Sequence, residues 1–411
     1  MKKSILTVLL VICVFACDRN RLDRDGKSTI PLTRSEQAYA EVSKDFASEL
    51  LQMYFDKKGE AYDFVFSPIS LQMFFGMLGA AASEEQATRI NGMLGYEGAS
   101  ADGINSFCKK VLETSPKLDP KVTVEVANQW WLNSATGFQL YPAFAQMLKE
   151  YYQVESETRD FSEESMYEIT RSWIKSHTRG MIDFGCRPPY PRQCILANAS
   201  YFKADWKDPF DQESSVSGDF TREDGSTTQV SYMTRLFDKA ELYQDGTLQS
   251  LFLPLGEGAF QMEFYLPQEG KKVQDVISAL QAGDFPKKGE LGTTDVYLPS
   301  FDLLCNNPAI VADLTNHFHV SVRDSDRSPA KYPLCGEDRE GVGIEINDFV
   351  HLARIIVNEK GTEAAAVTMN FKVSMGPGLR FFHATRPFVF IIREVSSGIV
   401  FFSGVYAGGC Q

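Results

Sequence analysis

The chain has 411 residues, of which 44% are hydrophobic and 23% charged, and a formal net charge of -13. That is ample apolar material for a sizeable buried core. So acidic a chain repels phosphate backbones, which excludes nucleic acid as an expected partner.

Lys2 and Lys3 precede an apolar run from Ile5 to Phe15, too short to span a bilayer and patterned as an export signal. It closes on Val14-Phe15-Ala16-Cys17, which resembles a bacterial lipobox. That resemblance implies a lipoprotein signal peptide over 1–16 and a lipid on Cys17, so the expected location is exported and lipid-anchored to a bacterial membrane. The leaflet is left open, the cell surface among the choices. Residues 17–33 are mostly polar, without a period, and read as a tether.

Thr33-x-x-Glu36 is a capping-box pattern, and Tyr39, Val42, Phe46, Leu50 and Tyr54 then recur at helical spacing. Ser83 to Gln86 offers a second cap ahead of Ile90 and Leu94, with Gly95 placed to end that helix. Val122, Val124 and Val126 alternate as a strand that runs into Trp130 and Trp131. Helical spacing returns around Phe144, Leu148 and Tyr151, and around Ile169 and Trp173. Later, residues 248–255, 259–266, 344–357, 387–392 and 399–405 are short aromatic and β-branched runs that read as strands. Helical stretches near 273–280 and 308–317 interrupt them. With no repeat and no second linker, the pattern predicts one α+β domain over 34–411.

Beyond Cys13 and Cys17 stand Cys108, Cys186, Cys194, Cys305, Cys335 and Cys410, with no CxxC and no zinc-like spacing. Cys186 and Cys194 bracket a turn-rich heptapeptide and could close a local disulfide; buried thiols are the plainer expectation for all six. No metal and no cofactor is expected.

Enzyme signatures are missing as well: there is no GxSxG, HExxH, P-loop or GxGxxG. His317 and His319, with Asp313 nearby, point apart on a helix and read as a solvated helix end. The chain is expected not to be an enzyme.

One segment breaks the pattern. Gly361 to Thr368 reads Gly-Thr-Glu-Ala-Ala-Ala-Val-Thr, followed by Ser374-Met375-Gly376-Pro377-Gly378, with an apolar strand on either side. A loop this long inside a compact domain is usually functional. In extended form Thr362, Ala364, Ala366 and Thr368 share one face, all small, with Glu363 opposite. Such a segment can be a loop or can slot into a sheet.

Asn358-Glu359-Lys360-Gly361-Thr362-Glu363-Ala364-Ala365-Ala366 closely resembles the hinge of inhibitory serpins. Phe66 to Ser70, Leu196 to Trp206, Phe382 to Phe388 and Phe402 to Val405 are similar to other motifs of that family, in the same order. The resemblance implies a fold of three β-sheets with eight or nine helices and an exposed reactive-centre loop. It implies a monomeric inhibitor, a suicide substrate that traps a serine (or cysteine) protease as an acyl-enzyme when its cut loop enters the main sheet. The alternative is a non-inhibitory serpin acting as a binding or structural protein.

The resemblance also assigns residues. Glu359, Gly361, Thr362, Glu363, Ala364, Ala365 and Ala366 form the hinge. Ser67, Ser70, Asn198 and His351 match a polar shutter beneath the opening strands, and Trp206 and Ser300 match the breach where insertion starts. Ser300 stands where the family often carries a lysine that pairs with the hinge glutamate, so Glu359 is expected to lack that partner. Family spacing sets the cut between Met375 and Gly376, with Ser374, Lys372 and Phe371 as alternatives. Asn370 and Lys372 would point inward on full insertion, an unfavourable place for a lysine.

Overall fold

Thr33 opens the first helix as its spacing predicts. In this computed structural model Thr33 Oγ1 accepts the Glu36 N–H at 3.3 Å, and the Glu36 carboxylate accepts the Thr33 N–H at 2.7 Å. The structure describes residues 28–82, 84–137, 139–185, 194–283, 287, 289–306, 310–317, 349–361 and 378–409.

Helices α1 (Arg34–Glu41) and α2 (Ser43–Lys58) carry the stripe from Tyr39 to Tyr54, with a break at Val42. Ile30, ahead of α1, is already buried in the main core. Strand β1 (Phe64–Phe66) leads into α3 (Pro68–Ala81), where Pro68 occupies a first-turn position whose N–H has no helical partner anyway. α3 is apolar all round and therefore sits inside the protein, with Ile69, Leu71, Met73, Phe74 and Phe75 fully buried. Then come α4 (Glu84–Met93), α5 (Ala101–Thr114), β2 (Val122–Asn133), α6 (Pro142–Tyr152), β3 (Glu155–Arg159), α7 (Glu163–His177) and β4 (Cys194–Ala204).

The second half is mostly strands: β5 (Val216–Thr221), β6 (Thr227–Gln244), β7 (Leu248–Leu255) and β8 (Phe260–Pro267) precede α8 (Val273–Gln281). After it run β9 (Glu290–Pro299), β10 (Phe301–Asn306), α9 (Ile310–His317) and β11 (Phe349–Val357). The chain closes with β12 (Arg380–His383), β13 (Phe388–Glu394) and β14 (Val400–Tyr406).

One sheet has five strands in the order β10-β11-β4-β2-β3. The other two expected sheets are joined into a nine-stranded one, β1-β14-β13-β8-β7-β6-β9-β12 with β5 beside β6. The joint is β6. Its first part pairs with β5 and β9, and its last residues, Glu241 to Gln244, pair with β7. A register shift between Phe237 and Ala240 bends it between those partners.

The main core fills the space between the sheets and helices, with Phe66, Phe202, Phe260, Phe264 and Phe402 at its centre. Gly404 in β14 is there for closeness, since a Cβ would sit 2.2 Å from the Phe64 carbonyl oxygen. A second cluster covers the opposite face of the five-stranded sheet. It packs Met166 and Ile174 of α7 on Trp131, Ile195, Ala197, Val350 and Leu352. The five-stranded sheet is therefore covered on both faces.

One ion pair is buried in the core beside β8 and β13. Arg393 Nε lies 2.7 Å from Glu263 Oε1 and its Nη2 lies 3.1 Å from Oε2. The Tyr265 hydroxyl donates to Oε2 at 2.6 Å, and Gln261 donates to Oε1 at 2.7 Å. Removing one partner of such a pair leaves a buried charge uncompensated. Glu263→Gln is expected to cost about 3–5 kcal/mol, read as a lower urea midpoint of the intact chain.

Candidate functional site

In the five-stranded sheet β10–β11 and β4–β2 pair antiparallel and the edge pair β2–β3 parallel, while at its centre β11 and β4 run parallel from Phe349 opposite Leu196 to Arg354 opposite Tyr201. Across this seam a row of polar side chains shares one register: Asn128 of β2 opposite Asn198 of β4, and Asn198 opposite His351 of β11. All three are buried. Asn198 Nδ2 donates to Asn128 Oδ1 at 2.8 Å, and the Asn128 amide donates to the Tyr152 carbonyl at 3.2 Å.

His351 closes the row. Its Nε2 accepts the Ser67 N–H at 3.2 Å, so the proton sits on Nδ1, which donates to Asn198 Oδ1 at 3.1 Å. Burial pushes this imidazole down from 6.5 to about 3, so it is neutral at physiological pH. Ser67 Oγ donates to Ser70 Oγ at 3.0 Å, and Ser70 bonds to Ser200 of β4. Ser67, Ser70, Asn198 and His351, named from sequence, are thus brought together. Asn128 and Ser200 complete the row and were not named. Asn128 is a polar residue on the face that Val122, Val124, Val126, Trp130 and Leu132 make apolar, which is the signal that could have found it.

At the head of the seam β11 ends in a tight turn. Asn358 N–H donates to the Gly361 carbonyl at 2.8 Å and Gly361 N–H returns to the Asn358 carbonyl at 3.1 Å. Trp206 holds this turn from the β4 side: its N–H donates to the Lys360 carbonyl at 2.5 Å and its indole to the Asn358 carbonyl at 2.8 Å. Gly361 forms an antiparallel bridge with Asp205 at φ 143, and a Cβ there would meet the Ala204 carbonyl oxygen at 2.1 Å. Only glycine lets the two backbones approach this closely.

Glu359 and Ser300 behave differently from a simple breach pair. Ser300 bonds to the Ser231 carbonyl, by N–H at 2.8 Å and by hydroxyl at 3.3 Å. Glue for Glu359 comes from elsewhere: Ser215 Oγ donates to its carboxylate at 2.6 Å and Phe210 N–H to its carbonyl at 2.7 Å. The missing lysine is replaced by a neutral hydroxyl. Lys360 Nζ, by contrast, is buried with no hydrogen-bond partner among the described residues.

The segment after α7 lies across the same sheet and is fastened on both sides of the seam. Arg179 bonds to Glu125 of β2 at 2.7 Å. Arg354 of β11 bonds to the Met181 carbonyl and to Asp302 of β10. Asp183, held by Arg171 and Lys175, has its carboxyl lowered to about 2.

Cys194 is buried at the start of β4, as are Cys108 and Cys305 in their own elements. Cys17, Cys186, Thr362, Glu363, Ala364, Ala365, Ala366, Phe371, Lys372, Ser374, Met375 and Gly376 lie outside the described residues.

A family model described as Serpin (serine protease inhibitor) matches residues 41–407. Serpin-Z1C of Triticum aestivum is 27% identical over 369 residues, spanning 84% of this chain and 90% of the wheat protein. Neuroserpin of Mus musculus is 25% identical over 370 residues, spanning 84% of this chain and 86% of its own. Among solved structures, the thermophilic serpin tengpin in its native state matches with a TM-score of 0.79 at 22% identity, covering 92% of this chain and 95% of that one.

The His351 shift makes a pH prediction. The folded imidazole resists protonation, so its contribution to stability is complete above about 6.5 and erodes as pH falls toward about 3. The expected slope is on the order of 1 kcal/mol per pH unit in that window. His351→Gln keeps an acceptor for Ser67 and a donor for Asn198 but cannot titrate. Urea midpoints between pH 7 and 5 should fall more steeply for wild type than for this variant, and parallel slopes would refute the assignment.

Proposed function

The chain belongs to the serpin family, and from that premise we propose that it inhibits a serine protease, or one of the cysteine class, by trapping it as a covalent acyl-enzyme. Members of this family are generally protease inhibitors rather than catalysts. The protease nucleophile attacks the Met375 carbonyl, the bond to Gly376 breaks, and the Gly376 amine leaves with a proton. Met375 is then held as an ester, or as a thioester for a cysteine enzyme. Loop insertion into the main sheet is how inhibitory serpins act on such an intermediate.

The observation that carries this reading is the parallel junction of β4 and β11 with the hinge docked at its head. A chain that leaves β11, turns at Asn358–Gly361 and runs back is antiparallel to both neighbours. It can therefore pair with both once they separate by one further strand spacing, about 4.8 Å. One parallel junction becomes two antiparallel ones, which are slightly more stable per residue.

Extending the Asp205–Gly361 bridge residue by residue pairs Thr362 with Ala204, Ala364 with Phe202, Ala366 with Ser200 and Thr368 with Asn198. On that continuation the small residues share the face of Asn198, toward α3, and Thr368 enters the row where insertion parts Asn198 from His351. Its hydroxyl can donate to one and accept from the other. Lys372 falls opposite Cys194, the first residue of β4 and a buried one, so an inward lysine there is unfavourable unless its stem carries the ammonium past the strand end.

The same proposal has the protein exported and working as a monomer. Cys17 would carry the lipid that keeps it on a bacterial membrane, where it shields its host cell from proteases.

Incubation with trypsin-, chymotrypsin-, elastase- and subtilisin-like proteases, followed by denaturing electrophoresis, tests the function. A covalent band near the combined mass, less the released C-terminal peptide, is expected with at least one. Cleavage without that band at every protease would sink the inhibitor reading. Thr368→Val should leave the cutting rate unchanged but let more protease escape. An unpaired polar group in the inserted sheet costs about 1–3 kcal/mol, so several moles of inhibitor should be consumed per protease trapped. An unchanged stoichiometry would remove Thr368 from the mechanism.

A further inference from the structure

Five large hydrophobic side chains stand exposed among the described residues. Three of them, Val216, Leu291 and Phe381, lie on the part of the nine-stranded sheet made by β5, β6, β9 and β12. Leu291 is 70% exposed and Phe381 50%. β12 is the edge strand, parallel to β9, with Phe381 opposite Asp295 and His383 opposite Tyr297. Alternation buries Phe382 and leaves Phe381 and His383 on the other face with Asp295 and Tyr297.

Their rings form a continuous run. Phe381 and His383 centroids are 5.5 Å apart, His383 and Tyr297 4.3 Å, and Tyr297 and Tyr232 6.4 Å. His383 Nε2 lies 3.0 Å from Asp295 Oδ2, which fixes the central ring. Aromatic side chains already held by their neighbours lose little freedom on contact and are over-represented where proteins bind proteins.

Chain length says which protein reaches them. Phe381 is six residues beyond Met375, at most roughly 20 Å at ~3.3 Å per residue. A protease domain of about 230 residues has a radius of gyration of about 17 Å. A protease that holds the bond after Met375 in its cleft therefore has its body within reach of β12.

We propose that Leu291 and the Phe381–His383–Tyr297 stripe form a docking surface for the target protease. It meets the protease rim on the side where the Gly376 end of the loop leaves the cleft, and it favours enzymes with apolar side chains there. The proposal rests on the inhibitor reading only for the position of the cut bond.

The test compares wild type with Leu291→Ser/Phe381→Ser at matched melting temperature. The protease is one shown by mass spectrometry to cut between Phe371 and Gly376, and the readout is the second-order rate of loss of intact chain. The double variant should react about tenfold more slowly, with the same division between trapped and cleaved product. Val395→Ser, similarly exposed but outside the stripe, should match wild type. Equal rates for wild type and the double variant overturn the proposal, and so does a Val395→Ser loss as large. Should the stripe instead hold a wild-type dimer that the double variant breaks on size exclusion, it is a self-association surface and the proposal fails. Cleavage without a covalent band would defeat the inhibitor reading alone, since the rate comparison still decides docking. If the double variant melts lower than wild type, Leu291→Lys, at the more exposed position, takes its place with the same expected slowing.

Discussion

Asn198 and His351 share one hydrogen bond across a seam between parallel strands, and the closed form of the five-stranded sheet depends on it. Both are buried, so each must keep a partner or lose about 1–3 kcal/mol. The row that satisfies them runs from Tyr152 through Asn128 to Ser67, so α3, β2, β4 and β11 are held in one register by side chains as well as backbone. A strand entering at this seam must offer a hydroxyl or amide at the same level. On the proposed register Thr368 is the residue that arrives there. On that proposal the closed and inserted forms would compete for the same polar groups.

The hinge shows how this chain meets a familiar demand with different residues. Glu359 is held by the hydroxyl of Ser215, while Ser300 turns to β6. A hydroxyl-to-carboxylate bond needs no second charge and is less sensitive to salt than an exposed ion pair. Next to it, Lys360 Nζ is buried without a hydrogen-bond partner among the described residues. Gly361 follows them because its backbone lies against Ala204 with no room for a side chain.

Strands that are short apolar and aromatic runs, such as β7 and β14, were legible in the sequence, and so were helices with caps, such as α1. β6 was not. It carries Arg235, Asp238, Lys239 and Glu241, and the register shift after Phe237 interrupts its alternation, so no window of it reads as one strand. Within the site, the family motifs pointed to Ser67, Ser70, Asn198 and His351. Asn128 and Ser215 come from segments that no motif marks, and only the pairing of distant strands brings them to the seam and the hinge.

The strap behind α7 carries a mechanical consequence. Arg354 grips it from β11 and Arg179 ties it to β2, so the two anchors lie on opposite banks of the gap that an incoming strand would widen. Strands cannot part beneath a bridge fixed at both abutments. Either one anchor lets go or the helix lifts with the strap, and the Arg179–Glu125 pair, the more solvent-exposed of the two, is the natural end to slip first.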